Sequence, residues 1–69
     1  MERRPLSSSN IRSAGYDPTT FTLEIEFTNG HIYQYFDVPQ HIFDALIETE
    51  SPGHFLNNAI KGMFRYSRL

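Results

Sequence analysis

Hydrophobic and polar positions alternate most clearly from Phe21 to Phe27, where four apolar residues are separated by three polar ones. Strict alternation over this length predicts a strand with one buried face. Asn29-Gly30 follows directly and is a strong hairpin signal. The β-branched and aromatic segment His31 to Val38 is therefore predicted as the partner strand, and the weakly alternating segment Ile11 to Tyr16 as a third strand.

Apolar residues change to helical spacing after Pro39, which suits the first turn of a helix because its missing N–H is not needed there. The apolar face of this first helix consists of Ile42, Phe43, Leu46 and Ile47. A second helix is predicted to begin at Ser51-Pro52, since a serine cap followed by proline is a typical helix start. Gly62 is expected to end it.

These elements predict an α+β fold, a three-stranded antiparallel meander with two short C-terminal helices packed on one face. We treat residues 1–69 as a single domain, in which residues 1–10 are expected to form a flexible or loosely packed arm. The alternating tail from Met63 to Leu69 is expected to lie as an extended edge segment. A chain of this length has room for one core. Its predicted members are Leu23, Ile25, Phe27, Leu46, Phe55 and Ile60.

The faces of the predicted hairpin depend on the length of its turn, because a slip of one residue moves every side chain across the sheet. A two-residue turn would put Tyr33 and Tyr35 on the open face, where paired tyrosines can stack on bases. A three-residue turn, with its glycine in a left-handed bulge, would direct both tyrosines towards the helices. The second register is favoured, because the first buries the amide of Gln34 in mid-sheet.

The charges are unevenly distributed along the 69 residues, although the net charge is only −2. Seven acidic residues and no Lys or Arg lie between Asp17 and Glu50, whereas all six cations lie outside that stretch. If the chain ends meet, as they often do in small domains, the flanks form one basic face that favours an anionic partner. The chain has no cysteine, no apolar run long enough for a membrane and no secretory signal, so we expect a cytoplasmic protein.

Catalytic or metal-binding chemistry finds little support in the sequence. His31, His41 and His54 lack metal-ligand spacing, and without cysteine no metal site or cofactor is expected. No activated nucleophile or phosphate-binding glycine loop is present, so an enzyme is not expected. The start of the second helix is a candidate anion site, because Ser51 leads into free N–H groups and Gly53 permits a close approach.

Several short motifs together resemble the KTSC domain family, in a match that runs from about Pro5 to Leu69. In the first half they are Ser8-Ser9-Asn10-Ile11, Gly15-Tyr16-Asp17, Phe27 and Asn29-Gly30. In the second half they are Tyr33-x-Tyr35-Phe36-x-Val38-Pro39, Ser51-x-Gly53-x-Phe55-x-Asn57-x-x-Ile60 and Arg65-Tyr66-x-Arg68-Leu69. The family is named for its place at the C-terminus of some lysyl-tRNA synthetases and also occurs as single-domain bacterial proteins. The resemblance implies no catalytic residue and raises RNA as a partner.

Two functional hypotheses follow. The first is a module that binds transfer RNA or another structured RNA through the basic face. Its candidate phosphate contacts are Arg12, Lys61, Arg65 and Arg68, and its candidate stacking residues are Tyr66, Tyr33 and Tyr35. The second is a protein–protein adaptor or small homo-oligomer that uses the exposed apolar residues Ile32, Phe36 and Phe64. Neither hypothesis involves a membrane or a small-molecule substrate.

Overall fold

One antiparallel sheet of five strands, arranged in chain order, forms the framework of the computed structural model, which describes all 69 residues. The strands are β1 (Arg3–Pro5), β2 (Ile11–Asp17), β3 (Thr22–Phe27), β4 (Ile32–Tyr35) and β5 (Tyr66–Arg68). Two helices, α1 (Gln40–Glu48) and α2 (Pro52–Ala59), lie between β4 and β5 in the chain. Neither helix, nine and eight residues long, has the length and apolarity of a membrane span.

The predicted α+β class and two helices agree with this structure, but the sheet has five strands where three were predicted. The tail, expected as an extended edge segment, pairs with β4 as the short strand β5. The other added strand, β1, comes from the segment expected to be a loose arm. It pairs closely with β2 because Gly15 has no side chain, and an added Cβ would lie 2.5 Å from the carbonyl oxygen of Glu2.

The β3–β4 hairpin adopts the register of the three-residue turn, as favoured from the sequence. The N–H of Phe27 donates to the carbonyl of His31 at 2.9 Å, and Gly30 has a φ of +92°. Only glycine adopts that angle without strain. Tyr33 therefore pairs with Ile25, and both tyrosines of β4 face the helices.

A single core lies between the sheet and the two helices. Its buried members are Ile11, Ala14, Leu23, Ile25, Tyr35, Val38, Leu46, Leu56 and Ile60. The predicted core residues Phe27 and Phe55 are only partly buried and pack against its margin. Phe21 was expected on the same strand face as Leu23, but it precedes β3, has a φ of +56° and is 52% exposed.

The opposite face of the sheet carries a polar network. The buried carboxylate of Glu24 accepts hydrogen bonds from Arg3 at 2.7 Å and from Gln34 at 2.9 Å. Beside it, the hydroxyl of Ser13 donates to Glu26 at 2.9 Å. These contacts join four strands through side chains and supply the partners that a buried carboxylate requires.

Replacing Leu46 by alanine is expected to lower the free energy of unfolding by about 2–5 kcal/mol, because Leu46 is completely buried in the only core. Urea unfolding measures the change. The matched control is Glu48→Ala on the exposed side of α1, which should change stability by about 0.5 kcal/mol or less. Equal costs for the two substitutions would contradict this placement of α1.

Replacing Gly15 by alanine is expected to displace β1 and to lower stability by about 1–3 kcal/mol, because the new methyl group would collide with the backbone of Glu2. Hydrogen exchange of the β1 amides reports the displacement. In a variant lacking residues 1–5 the collision is gone, so the same substitution should cost about 0.5 kcal/mol or less. A cost independent of residues 1–5 would show that Gly15 serves another purpose.

Candidate nucleic-acid interface

A groove of about 710 Å³ opens where the end of α2 approaches β5. Its lining residues are Phe27, Asn29, His31, Tyr33, Lys61, Gly62, Tyr66 and Arg68. They come from the end of β3 and the turn that follows it, from β4 and β5, and from the segment after α2. The groove thus brings together four predicted contact residues, Lys61, Arg68, Tyr66 and Tyr33.

Local backbone structure fixes the two walls of the groove. At the end of α2 the N–H of Lys61 donates to the carbonyl of Leu56 at 2.9 Å, and Gly62 turns the chain with a φ of +79°. α2 ends at Ala59 with Ile60 as its C-cap, so Gly62, which was expected to end the helix, turns the chain two residues after the cap. Across the groove, β5 pairs with β4 so that Arg68 lies opposite Tyr33. Directly opposed residues share a sheet face, so both side chains point to the same side.

Aromatic rings form the floor of the groove. The ring of Tyr33 contacts Phe27 edge-on at 5.4 Å between centroids and lies 5.6 Å from Tyr66. Tyr66 also leans on Tyr35, at 5.8 Å. Exposure separates their roles, since Tyr35 is 2% and Tyr66 61% exposed. Tyr35 therefore supports the floor from the core, whereas Tyr66 is largely open to solvent.

The groove is electrostatically positive. None of its lining residues is acidic, and neither Lys61 nor Arg68 forms an ion pair with a carboxylate. The ammonium of Lys61 lies 5.5 Å from the centroid of the Phe27 ring, within the range of a cation–π contact. That contact orients the ammonium and leaves its charge uncompensated by any anion.

Two other predicted phosphate contacts, Arg12 and Arg65, are not among the residues that line the groove. Since β1 and β5 are opposite edges of the sheet, Arg3 and Arg4 lie at the far edge from Arg68. Arg3 is paired with Glu24, and Arg65 donates to Asp37 at 2.8 Å beside a neighbouring depression. Arg12 reaches the β3–β4 turn, where it donates to the carbonyl of Thr28 at 3.4 Å.

At the start of α2, where an anion site was predicted, the side chain of Asn10 packs against Gly53. The side-chain oxygen of Asn10 would lie 2.5 Å from a Cβ added to Gly53, so the missing side chain makes room for Asn10. Ser8 holds Asn10 in place by donating its hydroxyl hydrogen to the same oxygen at 3.0 Å. Ser51 makes no capping hydrogen bond with its side chain. The serine–asparagine and serine–glycine motifs of the sequence are therefore in contact with each other.

Besides Gly62, three groove residues, Phe27, Asn29 and His31, were not predicted as contacts. Phe27 was assigned wholly to the core, and His31 was considered only as a metal ligand. The three-residue turn is the sequence feature that could have identified these residues. It pairs Phe27 with His31 at the end of the hairpin and keeps Phe27 on the same sheet face as Tyr33. Once the register is chosen, the cross-strand pairs place these residues beside Tyr33, at the same end of the hairpin.

Two tyrosines, Tyr35 beneath the groove and Tyr16, have a raised pKa. Burial, together with the nearby hydroxyls of Tyr33 and Tyr66, raises the pKa of Tyr35 above 10.0. On the other side of the core, burial and the carboxylates of Asp44 and Asp17 raise the pKa of Tyr16, whose hydroxyl donates to the carbonyl of Val38. Both phenols therefore stay protonated beyond the pH at which an unperturbed tyrosine ionises, and Tyr16 keeps the proton that it donates to Val38.

Fold and site together define a small α+β domain that presents a preformed positive aromatic groove beside an edge strand. A sequence model of the KTSC domain matches residues 7–66. The chain therefore belongs to the KTSC domain family.

Relatives and a solved structure agree with this assignment. An uncharacterised protein of Stutzerimonas stutzeri is 43% identical over 70 residues, covering 100% of this chain and 99% of that protein. A lysine–tRNA ligase of Nostoc sp. is 43% identical over 61 residues, which are 88% of this chain but 11% of the ligase. The crystal structure of a KTSC domain protein from Yersinia pestis, 40% identical, superposes with a TM-score of 0.93 and covers 99% of this chain and 96% of that one.

Stability is expected to fall above pH 10, because the raised pKa of Tyr35 means that the unfolded chain releases this proton more readily than the folded one. The contribution of Tyr35 is complete below pH 10 and is lost as the pH rises through its folded pKa. In Tyr35→Phe the alkaline loss should be shallower, by at most about 1.4 kcal/mol per pH unit. Urea unfolding at pH 8 and pH 11 measures the difference, and identical pH dependence in both proteins would contradict the prediction.

Proposed function

We propose that this domain is an RNA-binding module of the cytoplasm, with no catalytic role, and that its contact surface is the groove between α2 and β5. One observation carries the proposal. Two cations without carboxylate partners, Lys61 and Arg68, flank exposed and half-buried aromatic rings in a groove without an acidic residue. Cations beside stacking rings are the combination by which proteins hold single-stranded nucleic acid.

The relatives support the choice of an RNA partner. A protein named lysine–tRNA ligase carries the matching sequence as 11% of its length, so the same domain occurs beside an activity directed at transfer RNA. A net charge of −2 is unusual for an RNA binder. It is compatible with the proposal if the contact is local, because neighbouring charges act mainly within a Debye length of about 8–10 Å.

A second candidate function is protein–protein interaction or self-association. The depression beside the groove is lined mainly by apolar side chains, among them Phe36 and Phe64. Met63 and Leu69 nearby are 67% and 68% exposed, which is high for large apolar residues. Ile32, the third residue predicted for such a surface, is half-buried and lies opposite Glu26 on the other face of the sheet.

Binding of labelled single-stranded RNA is expected to weaken with salt, and the double variant Lys61→Ala/Arg68→Ala should flatten the slope of log K against log[salt] by about 1.4. This figure follows from about 0.7 per phosphate neutralised on a single strand, for two phosphates. Fluorescence anisotropy at several salt concentrations measures the slope.

The matched control is Arg4→Ala/Arg65→Ala, which removes the same charge outside the groove and should leave the slope nearly unchanged. Equal flattening by both double variants would show that binding is spread over the surface. No binding to RNA at low salt would refute the proposed function. Self-association in sedimentation, abolished by Met63→Ser, would then favour the second candidate.

A further inference from the structure

We propose that the groove is a site for one unpaired nucleotide unit, whose base stacks on Tyr66 while its phosphate is held between Lys61 and Arg68. This inference rests on the proposed function and adds to it the chemical unit that is recognised. The ligand is a nucleoside monophosphate unit, either within a single strand or as a free nucleotide. Stacking on Tyr66 requires a base that is not already stacked in a duplex.

The size of the groove matches a ligand of this kind. Its volume of about 710 Å³ falls within the roughly 300–1,000 Å³ typical of small-molecule sites. A base inside a duplex has both faces covered by its neighbours, so it offers no free face to the rings of the groove floor. An unpaired nucleotide can enter with both its ring and its phosphate.

The polar groups of the groove are mainly hydrogen-bond donors. Lys61 and Arg68 can only donate. The side-chain oxygen of Asn29 already accepts the backbone N–H of His31 at 3.0 Å, which leaves its NH₂ group for a ligand. A phosphate and the carbonyl groups of a base are acceptors, so a nucleotide complements this lining.

The stacking surface is formed before any ligand arrives. Tyr66 is held by Tyr33 at 5.6 Å and Tyr35 at 5.8 Å, and Tyr33 is held in turn by Phe27. No hydrogen bond within the chain uses the hydroxyl of Tyr33 or Tyr66, so both remain free to bond to the ligand. A preorganised surface reduces the ordering cost of binding, which matters most for a small ligand.

The test is an NMR titration of the whole chain at low salt with adenosine monophosphate, followed by competition against labelled single-stranded RNA. Adenosine monophosphate is expected to shift the amide signals of Asn29, Gly62 and Arg68 and to displace the RNA. Adenosine without phosphate and inorganic phosphate without base should each bind at least about tenfold more weakly, because each lacks one of two contacts worth about 1.4 kcal/mol or more.

Variants separate stacking from charge. Tyr66→Ala should weaken adenosine monophosphate roughly 5- to 150-fold, the equivalent of 1–3 kcal/mol for one stacked base, whereas Tyr66→Phe should retain most of the affinity. The double variant Lys61→Gln/Arg68→Gln, which leaves the aromatic rings of the floor in place, should bring the affinity for adenosine monophosphate down to that of adenosine. Arg65→Ala is the control and should change neither value.

Different results of these titrations would refute the nucleotide site and the proposed function. If RNA binds but adenosine monophosphate neither displaces it nor shifts the groove signals, the nucleotide site is wrong and RNA binding stands. If neither binds, both are wrong. Displacement of the nucleotide by an equal concentration of a glutamate decapeptide would overturn the site in favour of an acidic protein partner.

A comparison of a single-stranded RNA decamer with adenosine monophosphate shows whether the nucleotide belongs to an RNA strand or is free. A single-stranded decamer that binds tenfold or more tightly than adenosine monophosphate identifies RNA as the source, because neighbouring nucleotides then add contacts. A decamer that binds no more tightly identifies a free nucleotide. Both results support the site, since the chemical unit in the groove is the same.

Discussion

The register of the β3–β4 hairpin is the constraint on which the remaining structure depends. It is set at one end, where Gly30 takes a left-handed conformation and Phe27 bonds to His31. From there every second residue is assigned to a face, so Tyr33 joins the helix side and Glu24 the other. A slip of β4 by one residue would remove the aromatic floor and would place the amide of Gln34 under the helices.

The same register places Glu24 and Gln34 opposite each other on the sheet face that carries no helix. Glu24 is shielded from solvent without a helix above it, and its two hydrogen bonds come from β1 and β4. Removing Arg3 would leave this carboxylate with one neutral partner, and an unpaired buried charge costs several kcal/mol. The short edge strand β1 is therefore tied to the centre of the sheet by a charge contact as well as by its backbone.

The sequence allowed the helices, the central hairpin and the core side of Tyr33 and Tyr35 to be predicted, because each depends on residues close together in the chain. β1 was missed because Arg3-Arg4-Pro5 has no strand pattern, and its pairing depends on Gly15 and Glu24, which are distant in sequence. The groove was predicted only in part for the same reason. Its cations lie near each other in the chain, but their separation from the N-terminal arginines depends on the order of strands across the whole sheet.

One wall of the groove is also a short edge strand of the sheet. β5 has three residues, all exposed, and the bonds of Phe36 to Arg65 and of Leu69 to Ile32 bracket it at its ends. Short edge strands with little burial open locally at a small fraction of the global unfolding free energy. The groove can therefore widen by fraying of its own wall while the core remains intact, and anything bound there would slow the exchange of the β5 amides with solvent.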